Sequence, residues 1–146
     1  MQSVPIDLGH VPQGPRAYRA RLRRLGPILG LLPPAAMGGA AWLLLRDNTS
    51  TVRGVGSFLL AVLAAPGLLV MGVPLSSGGQ VWLVGVGASA AMWLLVGVVA
   101  SRRATRAPAA IWRDFWREYL WLAGGVWLGV VGALLAANLI LGRALI

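Results

Sequence analysis

Apolar residues gather along this chain into four long runs that are separated by short polar stretches. The runs cover about residues 25–45, 55–75, 80–100 and 119–141, and none of them contains a charged side chain. Each run is long enough to cross a hydrocarbon core of about 30 Å as a helix. Helices are expected because lipid offers backbone polar groups no hydrogen-bond partner. The pattern therefore predicts an all-α integral membrane protein with four hydrophobic helical segments.

The residues before the first run have a different character. Residues 1–24 are typical of a basic N-terminal arm, and residues 25–146 are expected to form a single transmembrane helical domain. Five arginines lie within residues 16–24, where Tyr18 and Leu22 fall at helical spacing. This spacing predicts a short basic amphipathic helix.

Composition supports a membrane protein and narrows its partners. Hydrophobic residues make up 58% of the chain and charged residues 12%, whereas soluble domains carry about 25% charged residues. The net charge is +9, and all 13 basic residues are arginine. Because these arginines flank the apolar runs, we expect them to bind anionic lipid head groups and not nucleic acid. The absence of cysteine excludes disulfides, iron–sulfur clusters and thiolate metal sites.

An aromatic amphipathic segment precedes the last run. Trp112, Phe115, Trp116 and Tyr119 recur at i, i+3, i+4 and i+7, which predicts one apolar face of a helix. Because Trp and Tyr favour the membrane–water interface, we expect residues 109–119 to form an interfacial helix leading into the last segment. A protein partner for this face is the alternative.

Head-group and interface contacts are expected from ten arginines and three aromatic residues. They are Arg16, Arg19, Arg21, Arg23, Arg24, Arg102, Arg103, Arg106, Arg113, Arg117, Trp112, Trp116 and Tyr119.

Small residues recur at every fourth position in the last run. Gly125, Gly129, Ala133 and Ala137 form this ladder, and Asn138 follows it as the most polar residue of the run. Shorter ladders in the third run join Gly85 to Ser89 and Gly87 to Ala91. Such stripes let membrane helices approach closely, and an amide can hydrogen-bond a neighbouring helix. We therefore predict helix packing at all these positions.

Arginine counts leave the topology open. If all four runs cross, six arginines lie on one side and seven on the other, which gives no positive-inside signal. If the first run instead re-enters at Pro33-Pro34 and three runs cross, 12 of the 13 arginines share one side. Re-entrant backbone must be buried in protein. A chain of this size is not expected to provide that burial alone, so this alternative requires a partner.

The sequence offers no sign of catalysis. No ionisable residue lies inside an apolar run, whereas transporters and proton carriers place such residues at membrane depth. Paired carboxylates, a nucleophile triad, a phosphate loop and metal-ligand spacing are all missing. We therefore expect no enzyme activity, no catalytic or cofactor-binding residues, no cofactor and no metal.

Three functions fit these features. The first is a non-catalytic accessory, assembly or stabilising subunit of a larger complex, bound to other membrane proteins in a bacterial cell (inner) membrane as a multi-pass protein. The second is a homo-oligomeric pore or small-solute transporter of the holin-like kind, built through the ladder at Gly125. The third is a membrane organiser that binds anionic lipid through its arginines.

Overall fold

The protein is helical throughout the part of the chain that the computed structural model describes, which is residues 14–47, 49–72 and 78–144. The helices in these ranges are α1 (Pro15–Leu29), α2 (Leu32–Leu45), α3 (Thr51–Ala64), α4 (Gly67–Val70), α5 (Gly79–Ala104) and α6 (Trp112–Ala144). Residues 1–13 of the predicted arm lie outside the described residues. Residues 16–24 belong to α1, so the predicted basic helix continues directly into the first apolar run.

Three segments are long and apolar enough to cross a membrane: Pro15–Leu45, Gly79–Ala104 and Trp112–Gly142. The prediction of an all-α membrane protein is confirmed to this extent, but the count of four segments is not confirmed. The second predicted run forms α3, with 14 residues, and α4, with 4 residues. Pro66 separates these helices because it has no N–H to continue α3. Residues 73–75 of this run lie outside the described residues.

The first apolar run is interrupted at Gly30–Leu31 and not at Pro33-Pro34. Both prolines lie in the first turn of α2, where a missing N–H costs no helical hydrogen bond within that helix. The halves on either side do not fold against each other, since α1 packs mainly on α5 and α2 packs mainly on α3. The predicted re-entrant hairpin at the proline pair is therefore not what the structure shows.

The proline pair leaves one carbonyl that another helix satisfies. Pro34 cannot donate to the carbonyl of Gly30, which would be its partner in a continuous helix. The hydroxyl of Tyr119 donates to this oxygen instead, at 2.7 Å. The interruption therefore explains why a tyrosine hydroxyl is buried among apolar side chains.

At the interruption at Pro66, side chains of α5 likewise form hydrogen bonds with the backbone groups of the broken helix. The indole Nε1 of Trp93 donates to the carbonyl of Ala64 at 2.7 Å. The backbone N–H of Gly67 donates to Ser89 Oγ at 2.9 Å, and that hydroxyl donates to the carbonyl of Gly85 at 2.7 Å. The chain thus provides hydrogen-bond partners for these groups itself.

The core lies where α1 and α6 pack against α5. Its largest side chains are Leu22, Trp93, Phe115 and Tyr119, each with at most 1% of its surface exposed. Gly26 lies beside Ser101, and Gly30 beside Gly97, so α1 runs antiparallel to α5. Glycine is required at Gly97 because a Cβ there would lie 2.8 Å from the Cα of Pro27.

Candidate functional site

Three arginine-bearing segments meet at one end of the helix bundle. Arg23 Nε donates to Thr105 Oγ1 at 3.0 Å, which joins the middle of α1 to the residue that follows α5. The rings of Tyr18 and Trp112 contact each other with centroids 6.5 Å apart, which brings the start of α6 to the same place. We call this region the arginine end, and it contains Arg16, Arg19, Arg21, Arg23, Arg24, Arg102, Arg103, Arg106, Arg113 and Arg117.

The arginine end has a large excess of positive charge. Asp114 and Glu118 are the carboxylates of these segments, and both lie near Arg117, at 3.7 and 3.9 Å. Within the described part of the chain, the other nine arginines form no ion pair with a carboxylate. Because ten guanidinium groups share one end with two carboxylates, this end favours an anionic surface.

The arginine end also bears on the predicted topology with four crossings. Four complete crossings would put residues 16–24 and residues 102–117 on opposite sides of the membrane. The bond between Arg23 and Thr105 instead holds these segments together. The interpretation with four crossings therefore does not fit the structure.

The aromatic face of α6 packs inside the protein. The periodicity is as predicted, but Phe115 and Tyr119 are fully buried against the rest of the core. Trp112 and Trp116 are half-buried beside the core. The prediction that Tyr119 contacts head groups is therefore wrong, because α1 covers this face and the hydroxyl bonds to Gly30. The alternative that this face binds a partner protein stays a prediction.

The ladder of the last run faces outward. Gly125, Gly129, Ala133, Ala137 and Asn138 are all exposed. A Cβ added at Gly125 or Gly129 would have no atom of this chain within 4 Å. The ladder is therefore not used for packing within the chain, and it is open to lipid or to another protein.

Two further small residues widen this surface, and the sequence reasoning missed them. Gly132 and Ala136 are also exposed. Together with Gly125 and Gly129 they are spaced four, three and four residues apart, which keeps all four on one side of a helix. This heptad-like spacing was visible in the sequence. We call these four residues the outer α6 face.

The close contact inside the chain uses a different pair of motifs. Gly26 and Gly30 of α1 face Gly97 and Ser101 of α5, and both pairs are spaced four residues apart. The sequence reasoning missed this pair, although the spacing of small residues in both segments was a usable signal. The ladder at Gly85 and Ser89 was predicted to pack, and this is confirmed by its contacts with α4. Gly87, in contrast, has open space around it.

An apolar cavity of about 410 Å³ lies between α2, α3, α4 and α5. Among its lining residues, the Ser89 hydroxyl and the Trp93 indole N–H already have hydrogen-bond partners. Pro34, Gly38 and Leu68 contribute apolar surface. The cavity can therefore hold a hydrocarbon group but offers it no polar anchor. In the described residues, no cluster of three or more His, Cys, Asp or Glu is able to hold a metal ion.

Comparison with protein-family models, with curated proteins and with solved structures gave no match to this chain.

Proposed function

We propose that this protein is a small non-catalytic membrane subunit that binds another membrane protein through the outer α6 face. The observation that carries the proposal is the uneven burial of α6. In its first half, Phe115, Tyr119 and Ala123 are fully buried in the core. Beyond Val130, residues 131–142 are exposed except for the half-buried Leu134. These residues span about 18 Å of helix at 1.5 Å per residue.

Lipid alone is a poor cover for this surface. Gly125, Gly129, Gly132 and Ala136 offer little side-chain area to acyl chains but let a second helix backbone approach closely. Asn138, on the same exposed half, forms no side-chain hydrogen bond with the described part of the chain. An amide exposed to hydrocarbon without a partner is unfavourable. The partner that fits the outer α6 face is a membrane helix with small residues of its own. Asn138 points about 150° away from that face at 100° per residue, so it is not part of this contact.

The membrane topology is part of this proposal. Pro15–Leu45, α5 and α6 cross, whereas α3 and α4 are too short to cross and meet beside the middle of α5. Ten arginines then share one side, which by the positive-inside rule is the cytoplasmic side of a bacterial cell membrane. Because the chain has no cysteine, Arg21→Cys and Ala107→Cys variants can be labelled singly. Labelling of both from one side supports this topology, and labelling from opposite sides overturns it.

The subunit proposal is tested by affinity purification of the tagged full-length chain from native membranes in a mild detergent. The informative variant is Gly129→Leu, because a side chain there meets no atom of this chain within 4 Å. The matched control is Val131→Leu, which alters an exposed position on another side of the same turn. A bulky residue in a packed interface costs about 1–3 kcal/mol, so we expect co-purified partner to fall about tenfold in Gly129→Leu.

Retention of the same partner in fixed proportion by the wild type and by Val131→Leu, with loss in Gly129→Leu, supports the proposal. A photo-crosslinker at Ala136 should capture that same partner. Equal retention by both variants overturns the assigned surface. Purification of the chain alone, or as a homo-oligomer that leaks ions in liposomes, overturns the subunit proposal and favours the pore.

A further inference from the structure

One face of α1 carries most of the arginines that precede the first apolar run. Arg16, Arg19, Arg23 and Arg24 line a cavity of about 470 Å³ together with Ala20. Their spacing of i, i+3, i+7 and i+8 places them along one side of the helix. Arg21 is also exposed but does not line this cavity, because it points about 140° away from Arg16 at 100° per residue.

These arginines have no carboxylate to balance them. Within the described part of the chain, none of the four forms an ion pair. Four like charges around one cavity repel each other unless an anion lies between them. The cavity therefore has the electrostatics of an anion site.

Arg23 is held in place by the fold. Its Nε donates to Thr105 Oγ1 at 3.0 Å, and Thr105 is itself only 2% exposed. The Thr105 hydroxyl donates in turn to the carbonyl of Ser101 at 2.8 Å. One of the five guanidinium N–H donors is thus used for positioning. The donors on Nη1 and Nη2 remain, and the planar guanidinium can use them to bind a phosphate through two parallel hydrogen bonds.

The cavity lies at the depth of lipid phosphates. Arg23 and Arg24 come directly before Leu25, the first residue of the apolar run. Arg16 is eight residues further out, or about 12 Å along the helix. Because the head-group region extends about 5–8 Å beyond the hydrocarbon core on each side, Arg23 and Arg24 fall within it, and Arg19 lies about 9 Å from Leu25, at its outer edge.

We infer that Arg16, Arg19, Arg23 and Arg24 form a binding site for a phosphate group, namely that of an anionic phospholipid in the leaflet at the arginine end. This goes beyond the proposed subunit function, since it concerns a different surface and a different ligand. Arg23 supplies a fixed two-pronged donor, and the other three arginines supply charge around the phosphate.

The test is native mass spectrometry of the full-length protein, titrated in detergent with phosphatidylglycerol or with phosphatidylcholine. The site variant is Arg16→Gln with Arg19→Gln, which leaves the bond between Arg23 and Thr105 intact. The control variant is Arg21→Gln with Arg113→Gln, which removes the same charge from the arginine end without touching the cavity. Circular dichroism and size-exclusion chromatography establish that both variants are folded.

We expect the wild type to bind phosphatidylglycerol in preference to phosphatidylcholine. The site variant should bind phosphatidylglycerol about thirtyfold more weakly, since each arginine near an anionic lipid contributes roughly fivefold. The control should change by less than about threefold, because Arg21 and Arg113 do not line the cavity. Equal loss in both variants would mean that only the general field attracts lipid, and it would overturn the site. A lack of preference for phosphatidylglycerol would overturn it as well.

A competition experiment distinguishes binding of a lipid phosphate from binding of a soluble phosphate. Inorganic phosphate at millimolar concentration is added to the complex of protein and phosphatidylglycerol. Retention of the lipid supports the assignment to phospholipid, because the acyl chains and head group act together. Displacement of the lipid overturns that assignment in favour of a soluble phosphate compound.

Discussion

Two glycine-bearing surfaces of this protein look alike in sequence and differ in what surrounds them. At the seam between α1 and α5, a Cβ on Gly97 would lie 2.8 Å from the Cα of Pro27 and 3.0 Å from the carbonyl oxygen of Gly26. On the outer α6 face, a Cβ on Gly125, Gly129 or Gly132 would meet no atom of this chain within 4 Å. The seam is already packed within the chain, whereas no other part of the described chain packs against the outer α6 face.

This difference separates two meanings of small-residue spacing. At the seam, glycine allows the backbones of two helices of one chain to touch, so a substitution there should lower the unfolding free energy. On the outer face, a substitution of glycine should leave the stability of the fold unchanged and weaken only the binding of a partner. Substitutions that are identical in chemistry should therefore have opposite consequences at the two surfaces.

The largest effect is expected for Gly97→Ala. The added methyl group meets the backbone of α1, which cannot move aside as a side chain can, so we expect a loss of about 2 kcal/mol in unfolding free energy. The control is Gly87→Ala on the same helix, where the space is open and alanine favours the helix by up to about 1 kcal/mol. Unfolding in detergent, followed by tryptophan fluorescence, measures both. Equal stability of the two variants would contradict the seam.

A smaller effect is expected for Gly26→Ala, with a specific rescue. Its added Cβ would lie 2.8 Å from Ser101 Cβ and 3.0 Å from the Phe115 ring, which are side-chain atoms. We expect a loss of about 1 kcal/mol, at the lower limit for overpacking. Ser101→Gly removes the closest atom, so the double variant should recover most of this loss in a double-mutant cycle. Simple additivity of the two changes would show that these helices do not touch there.

A third and weaker effect is expected for Tyr119→Phe. The change removes the hydroxyl that donates to the Gly30 carbonyl and keeps the buried ring. Hydrogen bonds between membrane helices contribute about 0.6 kcal/mol on average, and we expect a loss of that order in the same unfolding measurement. Tyr18→Phe is the control, because Tyr18 is partly exposed and its hydroxyl has no partner among the described residues. A loss at Tyr18 as large as that at Tyr119 would argue against the bond.

The smallest effect on folding is expected at the outer face. Gly129→Ala should leave the unfolding free energy of the isolated chain unchanged or raise it by less than about 1 kcal/mol, since alanine favours the helix. The same variant should still weaken recovery of a partner, although less than Gly129→Leu does. A clear loss of stability in the isolated chain would show that the outer face packs within the protein after all.

The sequence predicted the long helices well and the broken ones poorly. The runs at 80–100 and 119–141 lie within α5 and α6, because continuous apolar stretches without proline leave few alternatives in lipid. At the first run, the proline pair suggested a hairpin, but proline is also compatible with the first turn of a new helix. The choice between a hairpin and a new helix depends on whether the Tyr119 hydroxyl can reach the Gly30 carbonyl. That distance is set by the tertiary structure and is not visible in the sequence pattern.

The candidate surfaces were predicted in the same uneven way. The arginines were named correctly as a group, yet only the contact of Arg23 with Thr105 shows that they gather at one end. The period of Trp112, Phe115 and Tyr119 identified an apolar face, but a period does not say whether lipid or protein covers it. The ladder at Gly125 was identified as a packing surface, while its position outside the chain's own core depends on where α1 and α5 lie.

The arginine end also makes the protein sensitive to the electrical state of its membrane. Moving one elementary charge across a potential of 100 mV changes its energy by about 2.3 kcal/mol. The arginine end has a net charge of about +8, from ten arginines and two carboxylates, and the other end about +2, from Arg46, Arg53, Arg143 and Asp47. From the difference of six charges, an inverted orientation would be disfavoured by roughly 14 kcal/mol at that potential, before any desolvation is counted. A membrane potential therefore favours one orientation during insertion. A chain inserted while the potential is collapsed should show a larger share of inverted molecules.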